Sequence, residues 1–350
     1  DQETGASVPP VRYGFRSFDR QWVIPDNRLI NRPNPELWRV RSDRQVYVTA
    51  PSDRSPTNGP ALTVSACVPD LHHYSGRGGR VFPLWGDAGA TVPNVKPKLL
   101  SFLSQQFGKA VTAEDVVAYV VALAAHPAFT QRFKADLIKP GLRIPITADL
   151  ATFEDAVRLG RRVIWLHTFG ERMADQDDGR PAGPPRLPRA KMPFVPKEGA
   201  IPLTASEMPN AIDYDESNRR LLLGQGYVEN VAPCVWKYEV SGKQVLLHWF
   251  SYRKANRERP IIGDRRAPSS LCDVRPDCWL AEYTTELINV LNVLGLLIER
   301  EPQQALLLEQ VCAGPMLSTA DLAAAGAFDV LPKTKRGAKK RPHPELFDTK

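Results

Sequence analysis

The chain of 350 residues is 43% hydrophobic and 24% charged, a globular balance that excludes a disordered polymer and leaves ample length for a large core. Its formal net charge of +7, with a pI near 9.2, is a mild basic excess that fits a polyanionic partner without requiring one. The 32 prolines call for stiff loops and short, well-delimited helices.

Residues 11–50 read as short extended pieces. Val11, Tyr13 and Phe15 alternate, Trp22–Ile24 runs into the turn signal Pro25-Asp26-Asn27, and Gln45–Thr49 is a β-type run. "ALTVSACV" at 61–68 is a further strand ended by Pro69, and Arg80–Trp85 follows the glycine-rich "SGRGG". The character changes near Lys96. "KPKLLSFLSQQFG" has helical spacing with Gly108 at the C-cap position, and "TAEDVVAYVVALAAH" opens with Thr112 and Asp115 in capping-box positions. Pro127 opens a third helix to about Lys139, and "TFEDAVRLGRRVIWLH" repeats the cap logic with Thr152 and Asp155. The proline-rich stretch 174–199 is a long loop or linker. "YVENVAPCVWKYEV" reads as strand and Ser241-Gly242 as a turn. "KQVLLHWFSYRKANRER" fits strict alternation as well as a helix with Leu246, Trp249, Phe250 and Arg253 on one face; helix is favoured. "WLAEYTTELINVLNVLGLLIER" is the clearest long helix, and its apolar run falls short of a membrane span because Asn289, Asn292 and Gly295 interrupt it. Residues 333–341 carry six positive charges and read as a mobile tail. The expected fold is α+β: a mixed, β-rich lobe at 1–95, an inserted helical lobe at 96–170, a linker at 171–199, strand–turn–helix and C-terminal helices at 200–330, and a basic tail at 331–350.

Several chemistries lack their signatures. There is no Asp/Asn-Pro-Pro-aromatic loop of an amino-methylating enzyme, no phosphate loop, no dinucleotide fingerprint and no nucleophile elbow. Cysteines at 67, 234, 272, 278 and 312 match no common zinc spacing, so reduced thiols in a cytoplasmic protein are expected. A start at Asp without a secretory leader suggests a piece of something longer. "PDLHHY" offers Asp70, His72 and His73 as weak metal ligands, with His126 or His167 as a distant third. Adjacent histidines in a strand point to opposite faces, however, and loop histidines bonded to backbone are the favoured reading.

The basic residues are more telling. Between Arg12 and Arg44 stand eight arginines and no lysine, against four acids. A second cluster, Arg253, Lys254, Arg257, Arg259, Arg265 and Arg266, follows the aromatics Trp249–Tyr252, and Lys237 and Lys243 flank the nearby turn. The arginine fork grips phosphate or guanine edges in bidentate fashion. Arg12, Arg16, Arg20, Arg28, Arg32, Lys237, Lys243, Arg253, Lys254, Arg257 and Arg259 are therefore the candidate DNA contacts, although for any single arginine a solvated charged face is the better bet.

The order of blocks "YGFRSFDRQWVIPDNRLINRPNPELW", "PDLHHYSGRGGRVFPLW", "AEDVVAYVVALAAHPAFTQRFKADL", "GRRVIWLH" and "WKYEVSGKQVLLHWFSYR" resembles the C-terminal target-recognition region of type ISP restriction-modification enzymes over about residues 11–260. In that family a nuclease, a helicase-like motor and an adenine-N6 methyltransferase precede this region on one chain. The resemblance implies a module that reads double-stranded DNA for a methyltransferase domain or subunit. It would not be catalytic by itself or bind a cofactor, and S-adenosylmethionine would belong to the methyltransferase. It also implies that Phe15, Phe18 and Trp22 pack at the junction with that domain, with Arg16 and Arg20 at its rim. Residues after about 260 match none of these blocks and are candidates for docking a subunit. Two other readings stay open: a scaffold that holds defence-system subunits, and a metal-dependent nuclease built on Asp70, His72 and His73.

Overall fold

The computed structural model describes residues 8–30, 34–52, 55–76, 78–139, 141–255 and 276–328. Arg32, Arg257, Arg259, Arg265, Arg266, Cys272 and the basic tail lie outside these residues.

The alternation at the start of the chain gives strand β1 (Val11–Arg16), which turns at Ser17 and Phe18 into antiparallel β2 (Asp19–Val23). Phe18 takes φ +63° at that turn, a cost to a side chain that is met here by burial of its ring against His167 and Tyr238. A short helix, α1 (Pro35–Arg39), stacks Trp38 on Tyr13 and leads to β3 (Tyr47–Pro51). This strand is the centre of an antiparallel sheet, flanked by β4 (Thr63–Ser65) and β5 (Gly79–Pro83).

In the helical region, α2 (Pro97–Phe107) ends at Gly108 with φ +64°, and α3 (Ala113–Ala124) starts from a complete Thr112–Asp115 capping box. Two expectations need correction. Helix α4 (Pro127–Arg132) stops well short of Lys139, with one 3-10 turn at Asp136–Ile138, because residues 131–136 offer almost no apolar face to bury. Helix α5 (Leu150–His167) is capped by Asp149 rather than Thr152; the Asp149 carboxylate accepts from the Thr152 N–H at 2.8 Å and its hydroxyl at 2.7 Å. Helices α3 and α5 meet backbone to backbone at Gly160, where a Cβ would lie 1.8 Å from the Ala118 carbonyl oxygen.

An antiparallel meander follows: β6 (Ile212–Asp215), β7 (Arg220–Leu223) and β8 (Gly226–Val228). The strand expected over 227–240 is broken after β8 by a short helix, α6 (Pro233–Trp236), whose first position is a proline preset for helical φ. Strand β9 (Glu239–Val240) then pairs with β10 (Lys243–Gln244) across Ser241 and Gly242, at φ +51° and +74°, the two left-handed residues of a tight hairpin. Helix α7 (Val245–Ser251) resolves the ambiguous stretch as helix and buries Leu246, Trp249 and Phe250.

The long helix is α8 (Ala281–Ile298), followed by α9 (Glu301–Ala313) and α10 (Thr319–Ala324). The residues that interrupt its apolar run have a structural use. Asn289 accepts from Arg186 at 2.6 Å, Asn292 accepts from the Leu187 N–H at 2.8 Å, and the bare Cα of Gly295 makes room for the Leu187 side chain. The proline-rich stretch is thus seated along α8. Helix α9 packs on α3, α4 and α5, with Leu307, Leu308 and Val311 buried. One apolar core runs from the β3 sheet through the helical region to α7, α8 and α9, and the architecture is α+β. Among the described residues no helix is long and apolar enough to cross a membrane.

Candidate nucleic-acid interface

Gly14 sets the geometry of the region. It bridges to Pro69, and a Cβ there would lie 2.8 Å from Ser65 Oγ and 3.2 Å from a ring carbon of His73. Its N–H donates to Val68 and its carbonyl accepts from Asp70, so the chain after β4 is laid along β1. Asp70 then acts as a hub. One carboxylate oxygen accepts from Arg16 at 2.9 Å and from the His72 N–H at 2.7 Å, and the other accepts from the Tyr13 hydroxyl at 3.1 Å. Burial and the neighbouring Asp70 push the Tyr13 phenol well above its ordinary pKa, so it stays a donor.

The next link is His72, whose side chain is exposed. Its Nδ1 accepts from the Gly78 N–H at 2.7 Å, and the Gly76 N–H donates to its carbonyl at 2.7 Å. An Nδ1 that accepts leaves the proton of the neutral ring on Nε2, which makes Nε2 a donor. Gly76 and Gly78 take φ +73° and +33°, so the loop needs glycine at both. Against Gly76 lies the ammonium of Lys243, 2.6 Å from where a Cβ would be, with the His248 ring at 3.5 Å. His248 packs on Tyr252, and Tyr252 receives the edge of Phe15 and lies near the Arg16 guanidinium. The structure therefore brings the N-terminal hairpin, the glycine-rich loop, the β9–β10 hairpin and α7 to one partly exposed region.

The arginines divide differently from the sequence expectation. Arg12 pairs with Glu282 at 2.6 Å and stacks on Trp22, while Arg20 pairs with Glu286 at 3.0 Å and Glu171 at 2.6 Å. These two fasten the β1–β2 hairpin to α8. Arg253 is buried; it pairs with the buried Asp19 at 2.6 Å and donates to the Trp249 carbonyl at 2.8 Å. Arg16 is held by Asp70, and Arg28 lies along Asp26, whose carboxyl it holds below the usual range. Lys237 pairs with Glu216 at 3.4 Å in the open. Lys254 is half-buried and has no ion-pair partner among the described residues. Of the rings expected at the junction with the methyltransferase domain, Phe18 is buried within this chain, Phe15 is half-buried, and Trp22 is 55% exposed, with its indole N–H on Glu282.

Asp70, His72 and His73 do not share a ligand point. His73 is buried, with Nδ1 2.9 Å from Thr49 Oγ1, while His72 and Asp70 are occupied in the loop. Among the described residues no group of three or more His, Cys, Asp or Glu side chains is placed to hold a metal ion. His126 and His167 are core residues, and burial pushes His167 and His73 down to about 3 and His126 to about 4. Sequence reasoning missed Arg172, which donates to the carbonyls of Gln45, Ser42 and Ala66 and so ties its own segment to two others. His72 bonds the loop backbone through Gly78, as the favoured reading of the loop histidines had it.

Loops carrying basic and aromatic side chains on a rigid α+β scaffold are the build of a recognition module. The chain belongs to the type ISP C-terminal specificity domains, whose family model matches residues 2–289 and so extends past the blocks that carry the resemblance. No curated relative matches the sequence. Among solved structures, the fold resembles DrdV in a DNA complex (TM-score 0.60, 15% identity, 88% of this chain and 29% of that one). It also resembles a nuclease-deletion mutant of the type ISP restriction-modification enzyme LlaGI with a DNA substrate mimic (TM-score 0.55, 15% identity, 89% and 25%). A third likeness is to the ATP-dependent type ISP enzyme LlaBIII bound to DNA (TM-score 0.56, 13% identity, 89% and 19%). The chain thus spans 19% to 29% of the length of these proteins.

Proposed function

We propose that this chain is the DNA-reading part of a restriction-modification or phage-defence system, recognising a duplex sequence on behalf of an adenine-N6 methyltransferase. The observation that carries the reading is membership of the specificity-domain family over most of the chain, supported by likeness in fold to three proteins solved with DNA or a DNA mimic. In this reading basic groups on loops hold phosphates and set register, while a few side chains read base edges in the major groove. The methyl donor, S-adenosylmethionine, and the transfer chemistry belong to a methyltransferase domain or subunit, with helicase and nuclease functions likewise elsewhere. That partner extrudes the adenine at a cost of a few kcal/mol, recovered through contacts with the opened duplex.

The test is selection of bound sequences from a randomised duplex pool at moderate salt, with the chain alone and with its methyltransferase. Enrichment of one adenine-containing motif is expected. A folded chain that enriches nothing in either setting would overturn the reading in favour of a scaffold.

A further inference from the structure

We infer that Arg158, Arg162 and Arg300 form a seat for a phosphate group. The inference goes beyond the DNA-reading proposal and is tested apart from it. The three side chains line one cavity of about 340 Å³, together with Leu159, Asp178 and Gln303. Arg158 and Arg162 stand one turn apart on α5, and Arg300 lies where α8 passes into α9. Burial and the charge of Arg300 both press the Arg162 pKa below its ordinary value, so the two guanidinium groups are neighbours of like sign. Arg162 is held in place: it donates to the Gly179 carbonyl at 3.2 Å and to the Asp178 carbonyl. Arg158 pairs with the exposed Asp155 on its own helix, a bond of little worth in water. Arg300 has no ion-pair or side-chain hydrogen-bond partner among the described residues. Asp178, the acid of the lining, pairs with the buried Arg180. The lining therefore holds an excess of positive charge.

Like charges gathered in one hollow repel until an anion joins them. A guanidinium offers five N–H donors in a planar fork that grips two phosphate oxygens at once, and three such forks around one hollow match the charge and the several oxygens of a phosphate. Among the described residues no aromatic ring lines the cavity to stack a base, so the seat takes the phosphate and not a base. A phosphodiester of the DNA backbone and a free phosphate share this chemistry. On DNA the seat would set register and leave the choice of sequence to other residues.

The test uses Arg300→Gln and Arg158→Gln, with Lys134→Gln as a charge-loss control at an exposed residue outside the lining. Arg162 is left intact because it holds the turn at Asp178 and Gly179. Each chain is melted in chloride and in inorganic phosphate at matched ionic strength. Each is also titrated by anisotropy with a labelled duplex of random sequence at about 50 to 200 mM salt. In chloride, Arg300→Gln is expected to melt no lower than the parent, since it loses a repulsion and no bond. If the group comes free from solution, phosphate raises the melting temperature of the parent and of Lys134→Gln more than that of either seat variant, while duplex affinities stay parental. If DNA supplies it, both seat variants bind the duplex on the order of ten-fold more weakly, with a salt slope shallower by about 0.9, and Lys134→Gln behaves as the parent does. Either result supports the seat. Seat variants that respond to phosphate and to DNA as the parent does, or a control that loses as much as they do, would overturn it. Arg158→Gln, at an exposed position, keeps the test decisive should Arg300→Gln not fold. A parent that binds no duplex counts against the DNA-reading proposal, and the phosphate melts then decide the seat by themselves.

Discussion

Arg253 offers the sharpest separation between a structural and a DNA-contacting arginine. Its side chain is 5% exposed and that of Asp19 is 1% exposed, with 2.6 Å between them. The guanidinium also lies 3.9 Å from the centre of the Trp249 ring. Arg253→Ala removes the cation that pairs with a buried carboxylate, whose other side-chain partner among the described residues is Gln21 at 3.2 Å. Leaving such a charge uncompensated costs about 3–5 kcal/mol, and the lost stacking falls within that range because the terms are not additive. In a chain of this size the melting temperature should fall by roughly 4–7 °C. Asp19→Asn in the same chain removes the stranded charge, so the double variant should recover much of the loss, a coupling that a double-mutant cycle isolates. Urea melts of the four chains, run beside DNA-binding titrations, supply both readouts. A folded Arg253→Ala chain with parental stability and a shallower salt slope would refute this assignment and return Arg253 to the DNA contacts.

Two further predictions concern the core. Gly160→Ala should destabilise by about 1–3 kcal/mol or more, although alanine in an ordinary helix interior gains about 1 kcal/mol, because the new Cβ falls 1.8 Å from the Ala118 carbonyl oxygen; a rise in the melting temperature would contradict the close crossing of α3 and α5. Folding stability should also depend on pH through His73, His126 and His167, whose folded pKa values of about 3, 4 and 3 lie below the ordinary 6.5. The unfolded chain binds the extra protons, so this stability is complete above about pH 6.5 and is lost as pH falls towards the folded values, by up to about 1.4 kcal/mol per pH unit for each histidine. Denaturation midpoints that coincide at pH 7 and pH 5 would show that these rings are not held neutral.

What the sequence disclosed depended on how far apart the partners stand. The Thr112–Asp115 box, the Gly108 cap and the Ser241-Gly242 turn involve residues within a few positions of one another, and each is where local chemistry puts it. The family resemblance likewise survived because its blocks keep their order along the chain. The arginines were legible as clusters but not as individuals: nothing near Arg20 announces Glu286, and nothing near Arg253 announces Asp19. Asn289 and Asn292 read as flaws in an apolar helix because Arg186 and Leu187, which they serve, lie about a hundred residues earlier. The Asp70-His72-His73 stretch drew attention for the right reason, a concentration of donors and acceptors. Its partners turned out to be backbone, an arginine, a tyrosine and a threonine.

The clasp between the first hairpin and α8 has a bearing on how the protein is made. Arg20 and Glu286 stand 266 positions apart, and the buried Asp19 waits 234 positions for Arg253. At translation rates of about 5–20 residues per second, roughly 13–53 s separate the emergence of Arg20 from that of Glu286. During that interval the opening strands leave the ribosome without the anchors that hold them in the finished molecule. The β1–β2 hairpin is thus made well before the helices that secure it, and it has no settled place until they follow.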